Sequence, residues 1–181
     1  MARMPPSDGL KAHTLSGRME IRDAARGDAP DLAELLNAII AQGGTTALEE
    51  PFTPERLAET YLVGPTVLCC FVAVDQASGR LEGFQTLGRY PGLPEDVGDI
   101  GTFARIDGKQ RGVGSALFAA TCERARQLGL MAINATIRAD NAGGLAFYRK
   151  MGFEDHSVTR AAPLKDGRPV DRLSKRFRLT P

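Results

Sequence analysis

The chain has 181 residues, of which 43% are hydrophobic and 25% are charged. A chain of this length and composition can bury a substantial core within one domain. Its formal net charge of +1 argues against a protein that binds nucleic acid through bulk positive charge. No apolar run reaches the length of a transmembrane helix, so we expect no membrane partner either.

The first 18 residues lack the apolar stretch that is typical of a signal peptide. They contain Pro5, Pro6, Ser7 and Gly9, which disfavour regular structure. The rest of the sequence shows no internal repeat and no linker rich in serine and glycine. We therefore expect a flexible tail over 1–18 and a single domain over 19–178.

The first part of the domain has alternating strand and helix patterns. Leucine and isoleucine recur at helical spacing after a short strand-like segment, and a loop separates this helix from a second, shorter one. The predicted elements are a strand from Met19, a helix from Asp28 or Asp31 to Ile40, a loop over 45–54 and a short helix over 55–62.

Two hydrophobic segments, 66–74 and 81–87, are separated by the turn residues Gln76–Gly79. This arrangement predicts a β-hairpin. After a loop that contains prolines, the segment 97–103 has the composition of a further strand.

Three cysteines are present, at positions 69, 70 and 122, and they do not form the disulfide framework of a secreted domain. Cys69 and Cys70 are adjacent within an apolar run, and Cys122 lies on a predicted helix. We interpret all three as reduced core residues, with a nucleophilic Cys122 as the alternative. Reduced cysteines favour a cytoplasmic location.

The segment Lys109–Leu117 places Gly112 and Gly114 at the start of a predicted amphipathic helix. Consecutive backbone N–H groups at a helix N-terminus bind anions readily. The two glycines are equally compatible with a tight turn and close helix packing. The segment has neither the lysine and serine or threonine that end a P-loop nor the third glycine of a dinucleotide fingerprint.

The helix that starts near Gly112 is predicted to end at Gly129, and residues 131–137 then alternate as a strand. Asp140 or Asn141 can cap another helix, which is expected to end at Gly152.

Two further strands are expected over 156–162 and 169–177, joined by the turn residues Lys165–Arg168. Basic residues recur along this segment and are interrupted by aspartates, so we interpret them as a solvated strand face. They are Lys165, Arg168, Arg172, Lys175, Arg176 and Arg178.

The order of these elements, together with two motifs, resembles the GCN5-related N-acetyltransferase (GNAT) superfamily. Lys109–Gly114 is similar to the family's pyrophosphate loop, Gln/Arg-x-x-Gly-x-Gly/Ala, and Asn141–Phe153 is similar to the Asn…Tyr…Gly-Phe signature of its last core helix. The resemblance covers residues 19–177. One position departs from the pattern, because Lys109 replaces glutamine or arginine and meets a phosphate as a point charge without a guanidinium fork.

The resemblance implies an α/β (α+β) fold in which about four helices flank a mixed, largely antiparallel sheet of six to seven strands. It also implies acetyl-CoA as co-substrate, no metal, and a pantetheine arm that runs along one strand. The cofactor-binding residues expected from it are Phe103, Ala104, Arg105, Lys109, Gln110, Arg111, Gly112, Val113, Gly114, Ser115, Asn141 and Tyr148. Asn141 is equally compatible with a purely structural helix cap.

Tyr148 matches the family tyrosine that donates to the leaving thiolate, either by outright proton transfer or by a hydrogen bond. A phenol with a pKa of about 10 is a weaker acid than a thiol at about 8.5, so full transfer is uphill by about 2 kcal/mol. The alternative is that Tyr148 merely packs against Phe147.

Asp99 lies at the spacing where several family members place the acidic residue that deprotonates the amine through water. A surface carboxylate is the alternative. Glu49 and Glu50 lie in a segment similar to the substrate-side loop of the phosphinothricin and amino-acid N-acetyltransferase branch, where an acidic residue can bind a cationic amine. His13 and His156 are isolated, and a metal site needs at least three converging ligands.

The resemblance therefore predicts direct acetyl transfer from acetyl-CoA to a primary amine of a small molecule, such as an amino acid or an analogue, in a ternary complex. One alternative is a non-catalytic sensor that binds acyl-CoA. Another is an enzyme that acetylates a protein N-terminus or a lysine. The resemblance also implies a homodimer.

Overall fold

The computed structural model describes residues 19–179, so the tail expected over 1–18 lies outside the described residues. The strands are β1 (Met19–Asp23), β2 (Val67–Asp75), β3 (Leu81–Gly88), β4 (Val97–Ala104), β5 (Ala132–Arg138), β6 (Glu154–Pro163) and β7 (Pro169–Arg178). The helices are α1 (Ala29–Gln42), α2 (Pro54–Leu57), α3 (Val113–Gln127) and α4 (Ala142–Lys150). A 3₁₀ turn, Arg26–Asp28, precedes α1, and a π-helical turn, Ala58–Leu62, follows α2.

The seven strands form one sheet with the spatial order β1-β2-β3-β4-β5-β7-β6. β4 and β5 are parallel, and the other neighbouring pairs are antiparallel. This topology confirms the expected mixed, largely antiparallel sheet flanked by helices.

The helices cover both faces of the sheet, and each face has its own apolar core. α1 buries Leu32, Leu35 and Leu36 against one face, as its helical spacing predicts. α3 buries Leu117 against the opposite face, together with Tyr148 of α4.

The adjacent cysteines of β2 belong to different cores, because successive side chains of a strand point to opposite faces. Cys69 packs on the α3 side and Cys70 on the α1 side. All three cysteines are buried and free. Burial raises the pKa of the Cys69 thiol to about 12 and that of Cys122 to about 11. Their burial confirms that the cysteines are core residues, and raised pKa values are typical of unreactive thiols.

The start of α1 differs from the prediction. Asp28 does not cap this helix with its side chain. Its carboxylate accepts the backbone N–H of Ala25 at 2.7 Å and pairs with Arg22 at 2.8 Å, so it stabilises the preceding 3₁₀ turn. The loop expected over 45–54 ends one residue early, because Thr53 caps α2 by accepting the backbone N–H of Arg56.

The basic residues of the C-terminal strands do not form one solvated face. Lys175 is only 4% exposed and pairs with Asp155 of β6. Arg176 donates from Nε to Asn134 Oδ1 at 3.1 Å. The prediction is wrong for Lys175 because β7 lies between β5 and β6, where side chains on both faces have neighbours.

β4 and β5 separate from each other partway along their length. They pair over Val97–Asp99 and Ala132–Asn134, although β4 continues to Ala104 and β5 to Arg138. A gap therefore opens in the middle of the sheet, at the carboxyl ends of two parallel strands. Within residues 19–179, no helix is long and apolar enough to cross a membrane.

Candidate active site

A cavity of about 1150 Å³ opens where β4 and β5 separate; we call it the central cavity. β4, β5, the start of α3, α4 and the loop before α2 all contribute to its lining. Among the residues expected to bind a cofactor, those that line it are Phe103, Ala104, Gly112, Gly114, Ser115, Asn141 and Tyr148. The fold thus brings together residues that are up to 45 positions apart in the chain.

The backbone of β4 carries unpaired groups along this gap. Arg105 donates its N–H to Glu82 O at 2.9 Å, and antiparallel bonds recur at every second residue. The N–H and C=O groups of Thr102 and Ala104 therefore point away from β3, toward the gap. The side chain of Arg105 turns elsewhere, donating to Leu81 O at 2.8 Å, and does not line the cavity.

The segment before α3 and the first turn of that helix present a row of free donors. No described residue accepts a hydrogen bond from the backbone N–H groups of residues 109–115. Gly112 makes this row possible because its φ of +79° turns the chain into the helix. Lys109 and Arg111 add exposed positive charge. Together with the dipole of α3, this arrangement suits a polyphosphate.

The second glycine of the motif has a different role. A Cβ on Gly114 would lie 2.8 Å from Cε2 of Phe147. Gly114 therefore allows α3 to pack closely on α4, whereas the surroundings of Gly112 are open. Of the two explanations for this glycine pair, close helix packing applies to Gly114 and the tight turn applies to Gly112.

Asn141 acts as the N-cap of α4. Its Oδ1 accepts the Gly144 N–H at 2.8 Å, and its Nδ2 donates to Thr45 O at 2.7 Å. This side chain therefore ties α4 to the loop before α2. The cap is confirmed, and a direct bond to a cofactor remains a prediction.

Tyr148 both packs in the core and reaches the cavity. Its ring lies edge-on to Phe147 and Phe153, with centroids 5.1 and 4.9 Å away. Its hydroxyl lies 2.9 Å from Thr102 Oγ1. Burial raises the pKa of Tyr148 to about 12, so the phenol keeps its proton at physiological pH.

Asp99 is not a surface carboxylate, so that alternative is wrong. It is half-buried on β4, lines the central cavity and accepts a hydrogen bond from Asn134 Nδ2 at 2.8 Å. Burial raises its pKa above the usual range, which makes the carboxylate a better base. Among the described residues that line the cavity, it is the sole carboxylate.

Glu49 and Glu50 lie outside the central cavity. Both oxygens of Glu49 accept the backbone N–H of Lys165, the shorter distance being 2.8 Å, and Glu50 pairs with the Lys165 ammonium. They thus hold the loop before α2 against the turn between β6 and β7. Their predicted contact with an amine stays a prediction.

The structure adds three residues that sequence patterns did not single out as site residues. Thr102 contacts Tyr148, and Arg138 and Arg172, which face each other across β5 and β7, line the cavity. Arg138 is occupied, since it pairs with Asp140 at 2.6 Å and donates to Thr46 O. The guanidinium of Arg172 forms no hydrogen bond or ion pair with any described residue. A strand pattern carries no signal that separates a free arginine from a paired one.

Within residues 19–179, no group of three or more histidine, cysteine or acidic side chains is placed to hold a metal ion. The central cavity instead offers backbone donors, the Tyr148 phenol, the Asp99 carboxylate and the Arg172 guanidinium, which has no partner among the described residues. This set can bind an anionic chain, accept a proton from an amine and stabilise a leaving anion.

Comparison with known proteins agrees with this geometry. A family model described as "Acetyltransferase (GNAT) family" matches residues 34–153. An L-methionine sulfoximine/L-methionine sulfone acetyltransferase of Pseudomonas paraeruginosa is 30% identical over 170 residues, covering 89% of this chain and 95% of that one. Its counterpart in Pseudomonas aeruginosa is 28% identical over 166 residues, with the same coverage.

Solved structures share the fold. A phosphinothricin acetyltransferase from Sinorhizobium meliloti, in complex with AcCoA, has a TM-score of 0.77 at 21% identity, with 88% of each chain covered. A GCN5-related N-acetyltransferase from Kribbella flavida has a TM-score of 0.74 at 22% identity, covering 88% of this chain and 97% of that one. The match of the family model over most of the domain shows that this chain belongs to the GNAT family of acetyltransferases.

Proposed function

We propose that this protein transfers an acetyl group from acetyl-CoA to the primary amine of a small molecule that also carries a carboxylate, such as an amino acid or an analogue. One observation carries the proposal. Free backbone donors, the Tyr148 phenol and the Asp99 carboxylate all converge on the gap between β4 and β5.

The residues present fit acetyl-CoA. The free N–H groups of residues 109–115 suit its pyrophosphate, with Lys109 and Arg111 adding charge. The free N–H and C=O groups of Thr102 and Ala104 suit the pantetheine arm of acetyl-CoA. Each amide of that arm supplies one hydrogen-bond donor and one acceptor. When bound, the thioester supplies the activated acetyl group.

Direct transfer of the acetyl group to the amine, without a covalent enzyme intermediate, fits the side chains of the cavity. None of the described residues that line the cavity is a cysteine, and all three cysteines are buried. Asp99 is placed to take the proton that the attacking amine loses. Tyr148 is placed to stabilise negative charge on the departing sulfur by a hydrogen bond.

A carboxylate on the acceptor is supported by the charges of the cavity. Arg172 has a guanidinium without a described partner, and a carboxylate is its natural bidentate ligand. Asp99 supplies a negative group for the ammonium of the same molecule. The relatives named for L-methionine sulfoximine support the same class of acceptor.

The test is a panel of amines assayed by release of free thiol from acetyl-CoA. The key pair is L-methionine sulfoximine and its decarboxylated amine, compared in the wild type, Arg172→Gln and the control Arg178→Gln. Arg178 is an exposed arginine of the same strand. We expect Arg172→Gln to raise the KM for the carboxylate-bearing amine about 10-fold and to leave the decarboxylated amine unchanged.

Two results would contradict the proposal. If acetyl-CoA binds in calorimetry but no amine releases thiol, a non-catalytic sensor is supported instead. If peptides are acetylated and small amines are not, the acceptor is a protein.

We also propose that the protein is a cytoplasmic homodimer. β6 supports a second copy, because it is an edge strand that is exposed along nearly its whole length. The free, buried cysteines support a reducing compartment. Light scattering at micromolar concentration tests the assembly, and a monomer mass there would contradict it.

A further inference from the structure

We propose that Gln85 and Thr102 are positioning residues that point the phenolic proton of Tyr148 at the sulfur of the leaving group. The inference rests on the proposed function, because it concerns how the same site stabilises the departing thiolate. It assigns a task to a glutamine that lies outside the cavity lining.

The three side chains form a continuous chain of hydrogen bonds. Gln85 of β3 and Thr102 of β4 are directly opposite each other in the sheet. Gln85 is fully buried and donates from Nε2 to Thr102 Oγ1 at 2.9 Å. The same Thr102 oxygen lies 2.9 Å from the Tyr148 hydroxyl. The chain thus runs from the interior of the sheet to the cavity.

Counting protons gives this chain a direction. Gln85 donates to Thr102, so the hydroxyl proton of Thr102 remains available to another acceptor. Among the described residues, the acceptor within reach is the oxygen of Tyr148. When Thr102 accepts from Gln85 and donates to Tyr148, the phenolic proton of Tyr148 is free to point into the cavity.

This direction matters for the transfer step. The amine nitrogen bonds to the acetyl carbon, the carbon–sulfur bond breaks, and its electron pair passes to sulfur while Asp99 accepts the amine proton. A phenol that already accepts a hydrogen bond is a stronger donor, because bonds in a chain polarise one another. If the chain ran the other way, the Tyr148 proton would be held by Thr102 and turned away from the sulfur.

Gln85 carries a cost that favours a functional role. Its Oε1 is buried and has no partner among the described residues. A leucine of similar size would remove this unpaired acceptor, and an unpaired buried acceptor is destabilising. A residue that lowers stability while contacting the catalytic chain is typical of a site shaped for activity.

The first test combines stability and kinetics in Gln85→Leu, Tyr148→Phe and the double variant. We expect Gln85→Leu to raise Tm or leave it unchanged, and to lower kcat about 10-fold with no change in the KM for acetyl-CoA. In the Tyr148→Phe background, Gln85→Leu should lower kcat no further, because its effect passes through the phenol.

Thr121→Val is the matched control. Thr121 is fully buried on α3, and its Oγ1 also has no partner among the described residues. Its removal relieves the same kind of unpaired group without touching the chain of hydrogen bonds. We expect the gain in Tm without the loss in kcat.

A second test does not require turnover. Calorimetry at pH 9 compares coenzyme A with desulfo-coenzyme A, which lacks the sulfur. We expect the wild type to bind coenzyme A about fivefold more tightly than desulfo-coenzyme A, since a hydrogen bond to a charged group contributes at least this much to affinity. The preference should disappear in Gln85→Leu and in Tyr148→Phe, and persist in Thr121→Val.

The outcomes separate this inference from the proposed function. If no amine is acetylated but the sulfur preference follows Gln85, the function fails and the positioning role stands. If amines are acetylated but the two substitutions act additively, or the sulfur preference survives in Gln85→Leu, the positioning role is overturned.

Discussion

At the scale of one residue, the Tyr148 side chain both packs in the core and presents its hydroxyl to the cavity. Its ring is held between Phe147 and Phe153, and its hydroxyl faces the cavity beside Thr102. The surrounding aromatic rings fix the position of the hydroxyl oxygen. A preorganised hydrogen-bond donor needs little reorganisation when negative charge develops on the sulfur of the leaving group.

We expect Tyr148→Phe to lower kcat by about 100-fold with little change in the KM for acetyl-CoA, because the donor acts mainly as the thiolate forms. Steady-state thiol release measures both constants. Because burial raises the pKa of this phenol to about 12, the wild type should show no loss of kcat from its ionisation up to pH 10. An unchanged kcat in the variant would remove Tyr148 from the mechanism.

Asp99 illustrates a conflict between stability and activity at one residue. Its pKa is raised by burial, so the folded protein holds this proton more tightly than the unfolded chain does. Stability from this group is therefore greatest at low pH and is lost as pH rises from the unfolded pKa, near 3.9, through the raised folded value.

Asp99→Asn removes the buried charge and keeps an oxygen that can accept from Asn134. We expect a higher Tm than the wild type at pH 7, a difference that narrows at pH 4, and a kcat lowered by about 100-fold. Thermal unfolding and a pH–rate profile measure these effects. Asp96→Asn, at an exposed position before β4, is the control and should change neither quantity. A fall in Tm at pH 7 would contradict the assignment.

At the scale of elements, the contact between α3 and α4 links the segment before α3 to Tyr148. Gly114 lies against the ring of Phe147, whose neighbour in sequence is Tyr148. A change in the spacing of the two helices therefore moves the phenol. This contact joins two motifs that are separate in the sequence.

Gly114→Ala should destabilise the protein by about 1–3 kcal/mol, since its Cβ would meet the Phe147 ring at 2.8 Å. We expect kcat to fall as well, and Phe147→Leu in the same chain to recover part of both losses. Denaturant unfolding and thiol release measure them. Gly27→Ala, where a Cβ meets open space, is the control. Equal effects of the two substitutions would show that packing against Phe147 is unimportant.

At the scale of the whole molecule, the sheet is interrupted at its centre, and the interruption is the candidate binding site. Within residues 19–179, the gap leaves strand edges and a helix N-terminus without hydrogen-bond partners in one place. A ligand that supplies those partners stabilises the folded state over the unfolded one.

Acetyl-CoA at about 100 times its Kd should stabilise the fold by about 2.7 kcal/mol, which raises Tm by roughly 5–11 °C in a domain of this size. Thermal scanning measures the shift. Gly112→Ala should reduce the shift, whereas Gly79→Ala should not. Both glycines have positive φ and open surroundings, but Gly79 lies in the β2–β3 turn. Equal shifts in the two variants would refute the role of the segment before α3.

The sequence predicted most of the elements and the general place of the site. Hydrophobic periodicity located the helices and strands because each buries one stripe or one face. The pairing of Lys175 with Asp155 and the true role of Asp28 were missed, since both depend on which strand or turn lies alongside. Residue patterns do not predict which residues far apart in the chain become neighbours in the fold.

The sequence by itself determined the secondary structure, the helix-start segment with its two glycines, and the tyrosine and asparagine of the last helix. These are local properties, set by propensity, capping and spacing. The tertiary structure alone decided that β4 and β5 separate after Asp99 and that Gly114 packs on Phe147. It also decided that the Arg172 guanidinium has no partner among the described residues, and that Gln85 reaches Tyr148 through Thr102. Each of these depends on distances between segments far apart in the chain. The pairing of a charged side chain and the direction of a hydroxyl proton depend on the groups that folding places beside them.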